Sequence, residues 1–105
     1  MFRGTTPTEI YTIKNRGALD LSKCEQIWVT IVDRGAHAHT YDIDRLTIDA
    51  TAGTISLALT QEETLAFSVG AAYAQLRFLY IDGTAFASRR VNFEIEDVKR
   101  GGVIE

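Results

Sequence analysis

The chain holds one cysteine, one proline, one methionine and one tryptophan in 105 residues. A lone Cys24 excludes an intrachain disulfide and a thiolate metal cluster, so stability has to come from packing. As a nucleophile Cys24 would need a base and an activating environment; it reads instead as a small, semi-buried residue at a strand entrance. Apolar runs long enough to cross a bilayer are absent. The opening stretch from Met1 to Thr8 lacks the apolar segment of a secretory signal. The expected location is therefore the cytosol, unless the protein leaves as part of something larger. A basic excess is also missing. Net charge is −3, and the tight basic pairs Arg89-Arg90 and Lys99-Arg100 stand beside acids. Nucleic-acid binders carry a basic stripe that neutralises phosphates, so no nucleic-acid partner is expected. Pro7 precedes the first expected strand and removes no ladder hydrogen bond.

What is present is a globular balance, 46% hydrophobic and 24% charged, at the length of one domain. A single domain over residues 1–105 is expected, with 1–7 and 98–105 as terminal arms. Period-two alternation dominates, the mark of strands with one buried face. Ile27, Val29 and Ile31 alternate with Trp28, Thr30 and Val32, and both sets are fairly apolar. Such a strand is central and covered on both sides, or meets a partner with its outer face. Ile55, Leu57 and Leu59 mark a half-buried strand, and Val91, Phe93 and Ile95 mark another with one wet face. Asp82-Gly83 between two long β runs predicts a hairpin with a type I′ turn. Further strands are expected at Glu9–Lys14, at Ala36–Asp42 and at Arg45–Asp49, with turns at Asn15-Arg16-Gly17 and at residues 50–53. Thr60 and Glu63 form a capping box, so one or two helical turns follow, with Leu65 docked on the core. About seven short strands and one connecting helix predict an all-β, two-sheet antiparallel sandwich. A small antiparallel barrel is the alternative.

No catalytic constellation stands out, and neither enzyme activity nor a cofactor is expected. His37 and His39 are spaced to share one strand face, where Asp42 or Asp44 would add an oxygen ligand for a divalent metal. A third and fourth ligand with supporting shell are not visible, so the expectation is an ordinary edge pair and no metal. Asp42, Asp44 and Asp49 lack the residue order of a calcium loop and read as a solvated rim. Glu94 and Glu96 would fall on the outward face, where nothing raises a general acid's pKa. Tyr11, Trp28 and Tyr73 are candidates for an aromatic contact surface. In the tail, Val103 and Ile104 follow a double glycine and would add to a neighbour's sheet edge, or simply fray.

Several segments together carry a resemblance: Arg3-Gly4-Thr5-Thr6-Pro7-Thr8, Leu59-Thr60-Gln61-Glu62-Glu63-Thr64-Leu65, Asp82-Gly83-Thr84-Ala85 with Ala87-Ser88, and Gly102-Val103-Ile104. In them the chain resembles small proteins from the structural-gene regions of tailed phages and prophages of Firmicutes. It is also similar to the immunoglobulin-like N-terminal domain of phage upper-baseplate proteins, without their longer C-terminal region. The resemblance implies a virion or assembly role (tail, baseplate or capsid-associated), with other phage structural proteins or copies of itself as partners, and it carries over no catalytic residues. The rival expectation is a small phage-encoded inhibitor of a host or defence enzyme, whose carboxylates would mimic phosphates. The acids are spread over several strands, which argues against mimicry.

Overall fold

Apolar residues at every second position need a shared interior, and two sheets laid face to face supply it. The computed structural model describes residues 1–13 and 20–97. Its strands are β1 (Thr8–Thr12), β2 (Cys24–Val32), β3 (Ala38–Tyr41), β4 (Leu46–Asp49), β5 (Thr54–Ala58), β6 (Gly70–Tyr80), β7 (Ala85–Ala87) and β8 (Val91–Ile95); the helix α1 (Gln61–Leu65) lies between β5 and β6. One sheet has the order β1-β5-β4. The other runs β3-β2-β6, with β7 and β8 both paired to β6 on its far side. All named strand pairs are antiparallel, as expected for a sandwich.

The strand order is that of an immunoglobulin-like sandwich. Strands β1, β5 and β4 take the places of B, E and D, and β3, β2, β6 and β7/β8 those of C′, C, F and G. The core lies between the sheets. Ile27, Val29 and Ile31 of β2 face Ile55 and Leu57 of β5, with Leu76 and Phe78 of β6 beside them, all buried.

Eight strands replace the expected seven because residues 84–95 do not form one strand. Arg77–Leu79 pair with Ala87–Ala85, whereas Gly70–Ala74 pair with Ile95–Val91, so one extra residue enters between the two registers. Ser88 holds this bulge. Its N–H donates to the Leu76 carbonyl at 2.8 Å, and its hydroxyl accepts from the Leu76 N–H at 2.9 Å. The bulge resets the phase of alternation. Phe86, opposite Phe78, and Phe93 and Ile95, opposite Ala72 and Gly70, all face the core although their numbers differ in parity.

The Asp82-Gly83 turn is not type I′. Only Gly83 has positive φ, at 90°; its N–H bonds to the Tyr80 carbonyl at 3.0 Å, and the Tyr80 N–H bonds to Thr84 at 2.8 Å. This is a type I-like turn closed by a left-handed residue. The β2–β3 hairpin repeats the pattern, with Ala36 N–H to Asp33 at 2.9 Å and Asp33 N–H to His37 at 3.2 Å. There the left-handed place falls on Ala36, at φ 63°, not on the neighbouring Gly35. Gly35 serves a different need: a Cβ would sit 3.0 Å from the His37 ring and the Ser68 hydroxyl.

The capping box at Thr60 and Glu63 is present in both directions. The buried residues near it are Thr64 and Phe67, while Leu65 is only half-buried, contrary to expectation. Thr64 goes inward because its hydroxyl has polar work there. It accepts from the Gly4 N–H at 2.9 Å and stands 2.9 Å from the Thr5 carbonyl, to which it donates. Residues 1–7 are consequently not a free arm. Phe2 bridges Glu96 in parallel, Arg3 bonds to the Leu65 carbonyl and to Asp97, and the Pro7 carbonyl accepts from Leu59. The expected turn at Asn15-Arg16-Gly17 and the tail at 98–105 lie outside the described residues.

Left-handed alanine costs about 1 kcal/mol or more, which glycine avoids at the expense of a freer unfolded chain. Ala36→Gly is expected to stabilise the fold by about 0.5–1 kcal/mol, raising the melting temperature by about 2–6 °C in a thermal unfolding experiment. An unchanged or lower melting temperature would contradict the assigned turn.

Candidate functional site

The outer face of the larger sheet has no second layer over it among the described residues. Register fixes its composition. Trp28 stands opposite Arg77, Thr30 between Thr40 and Gln75, Val32 between Ala38 and Tyr73, and Gln26 opposite Leu79. Trp28, Thr30, Thr40 and Arg77 line a shallow depression of about 300 Å³. The Thr30 and Thr40 hydroxyls are 3.0 Å apart, which fixes its floor. Trp28, Thr30 and Val32 are half-buried by their neighbours alone, and Arg77 is exposed. The Arg90 guanidinium covers the Tyr73 ring at 4.2 Å.

Two of the expected contact residues, Trp28 and Tyr73, are therefore on one face. Tyr11 is not with them. It lies in the core at 9% exposure, opposite Ile55, and burial pushes its hydroxyl pKa well up. The alternation of β1 turns Ile10 outward instead, at 63% exposure. Val103 and Ile104 lie outside the described residues. Arg77 and Thr40 were missed from sequence because they join Trp28 only through cross-strand register, which alternation within one strand does not fix.

His37 and His39 converge on Asp33, not on Asp42 or Asp44. Only His39 lies in β3; His37 belongs to the turn. The Asp33 carboxylate is fully buried, and it accepts from the Ser68 N–H at 3.1 Å and the His37 N–H at 3.2 Å. His39 Nε2 is 3.3 Å and His37 Nδ1 3.5 Å from its oxygens. Burial would raise the Asp33 pKa, but the bonds from Ser68, His37 and His39, with the nearby His37 charge, together hold it below the usual range. The cluster thus ties the β2–β3 hairpin to the segment after α1. No group of three or more side chains in position to hold a metal occurs among the described residues. Asp42 and Asp49 cap local turns, accepting from the N–H groups of Asp44 at 3.1 Å and Ala52 at 3.0 Å.

Beside His39 an open depression of about 420 Å³ is lined by His39, Thr40, Tyr41, Glu62, Glu63 and Ala66. Arg45 grips Glu63 with two bonds of 2.7 and 2.8 Å and also donates to the Ala58 carbonyl. The Arg45 bonds carry the Glu63 pKa down to about 2, against the opposing effect of burial and with help from the Thr60 N–H. Burial, helped by the Glu63 charge, pushes the Tyr41 hydroxyl up to about 12. Glu94 and Glu96 are open to solvent.

The chain is an all-β protein, a two-sheet antiparallel sandwich with one small helix and an uncovered, mixed aromatic and polar sheet face. No helix among the described residues is long and apolar enough to cross a membrane. Comparison with protein-family models, with curated proteins and with solved structures finds no match.

A carboxylate whose folded pKa is depressed stabilises the fold above its unfolded pKa, and that stability is lost as pH falls toward the folded value. Glu63→Gln keeps the capping box but removes the charge. Wild type is expected to exceed this variant by about 1 kcal/mol at pH 7, with the difference shrinking below pH 4.5 and lost as pH falls through about 2. Urea unfolding of both proteins across that range checks it; a difference independent of pH would contradict the pairing.

Proposed function

We infer that the chain works without catalysis, through protein contact made by the outer face of the β3-β2-β6 sheet. The observation that carries this reading is Trp28. A tryptophan in the middle of a sheet face, beside a depression and an arginine with no salt bridge among the described residues, is an anchor of the kind that dominates interfaces. Val32 and Leu79 extend the apolar area, and threonine and glutamine side chains surround it. The resemblance carried by the Arg3–Thr8 and Leu59–Leu65 segments supports a virion component of a phage or prophage, in tail, baseplate or capsid-associated position. The protein would then sit in the particle, and in the host cytoplasm before assembly.

The inhibitor reading draws on Asp42, Asp44 and Glu62, which are exposed near one sheet edge. Arginines on the same sheet weaken any phosphate mimicry, so the virion reading is preferred.

Mass spectrometry of purified particles against the soluble fraction of the same lysate tests the choice. Stoichiometric recovery in particles is expected, and Trp28→Ser is expected to remain folded by circular dichroism yet stay in the soluble fraction. Recovery of wild type in the soluble fraction alone would overturn the virion reading and direct attention to host enzymes.

A further inference from the structure

At the level of Trp28, six charges outside salt bridges lie on opposite sides of the larger sheet, acids toward β3 and arginines on β6 and beyond β7. At the β3 edge, Asp42 follows Tyr41, the partner of Val29, and Asp44 lies in the turn after it; Glu62 stands in the depression beside His39 and Tyr41. On the other side, Arg77 of β6 pairs with Ala87 of β7, and Arg89 and Arg90 follow in the bulge. All six side chains are exposed, and none takes part in a salt bridge among the described residues. Register puts the two groups on one level. The row runs from Tyr41 and Asp42 past Trp28 and Arg77 to Ala87 and the bulge, with Trp28 in the middle. Two strand spacings put Arg77 about 10 Å from the β3 edge, and a third puts the bulge about 15 Å from it.

We propose that the partner of this sheet is a second copy of the same chain, docked face to face about a twofold axis along the strands, so that Arg77, Arg89 and Arg90 of each copy meet Asp42, Asp44 and Glu62 of the other, with Trp28 covered between them. Such an axis reverses the strand order between the two copies, so the contact is isologous, the basic side of each meeting the acidic side of the other, and it closes as a dimer. A twofold axis across the strands would instead set Arg77 and Arg90 near their own counterparts and is disfavoured. Side chains, not an added strand, make the contact. The bulge at Ser88–Arg90 interrupts the β7–β8 edge and leaves no long ladder to extend.

The inference rests on the protein-contact reading and names its partner. Sedimentation velocity of the full chain over a concentration series, at 50 and 500 mM NaCl, gives the first test. Self-association is expected at low salt and is expected to weaken by about tenfold or more at high salt. R89E/R90E carries acid on both edges, and D44K/E62K carries base on both. Each is expected to be monomeric alone, to associate when mixed with the other, and the fourfold variant is expected to associate by itself. Asp42 is left intact because it caps the turn at Asp44. If a reversal fails to fold, the milder R89Q/R90Q and D44N/E62Q replace it, and each is then expected to lose association. A wild type that stays monomeric at every concentration, or folded variants that neither lose nor exchange association, would overturn the proposal. If Trp28-dependent recovery in particles survived that result, a different protein would be the partner. Loss of both would defeat the contact reading itself.

Discussion

Pairing of β2 with β6 is the constraint on which the rest of the fold depends. These are the two longest strands, nine and eleven residues, and β6 alone carries β2 on one side and both β7 and β8 on the other. Their register sets Ile27 opposite Phe78, Val29 opposite Leu76 and Ile31 opposite Ala74, all inside. The same register necessarily sends Trp28 and Arg77 outward together. A slip of one residue in β2 would exchange its two faces, placing Trp28 and Thr30 in the core and Val29 and Ile31 in water. Core and contact face are thus fixed by one set of backbone bonds.

Two irregularities adapt this ladder. Between Cys24 and Gln26 the β2 register shifts beside the end of β6, and at Ser88 the chain takes up an extra residue between β7 and β8. The second shift lets Phe86, Phe93 and Ile95 all reach the interior, and it also breaks a free edge that would otherwise be a template for strand addition. The arginines that follow Ser88 are held at that edge by the same feature. Elsewhere the layers are stitched by polar groups with fixed partners. Buried Asp33 binds the β2–β3 hairpin to Ser68, Thr64 binds the first residues to α1, and Arg45 binds Glu63 and the end of β5.

The sandwich was legible because alternation in β2, β5 and β8 and the Thr60–Glu63 box are local signals that the tertiary structure did not override. What sequence concealed was relational. Whether Tyr11 or Ile10 faces inward depends on which side of β1 the other sheet covers, and alternation alone is symmetric between them. Asp82-Gly83 marks the place of the turn but not its type, since a glycine signals positive φ without saying how many residues share it. Ala36 shows the converse, a left-handed residue that no composition rule marks. The spacing of His37 and His39 shows a pair, but their shared partner, Asp33, is brought in by the hairpin. For the contact face, Trp28 was visible, whereas Arg77 and the sorting of charge across the sheet required the register.

Trp28 is the only tryptophan, so its fluorescence reports on the proposed face without labelling. The most direct measurement is acrylamide quenching of that emission in the dilute protein and in its assembled state, whether concentrated at low salt or recovered in particles. A half-accessible indole is expected when dilute, and a blue shift with several-fold weaker quenching on assembly. Emission and quenching that stay the same in both states would contradict it, because the face would then remain open to water while the protein does its work.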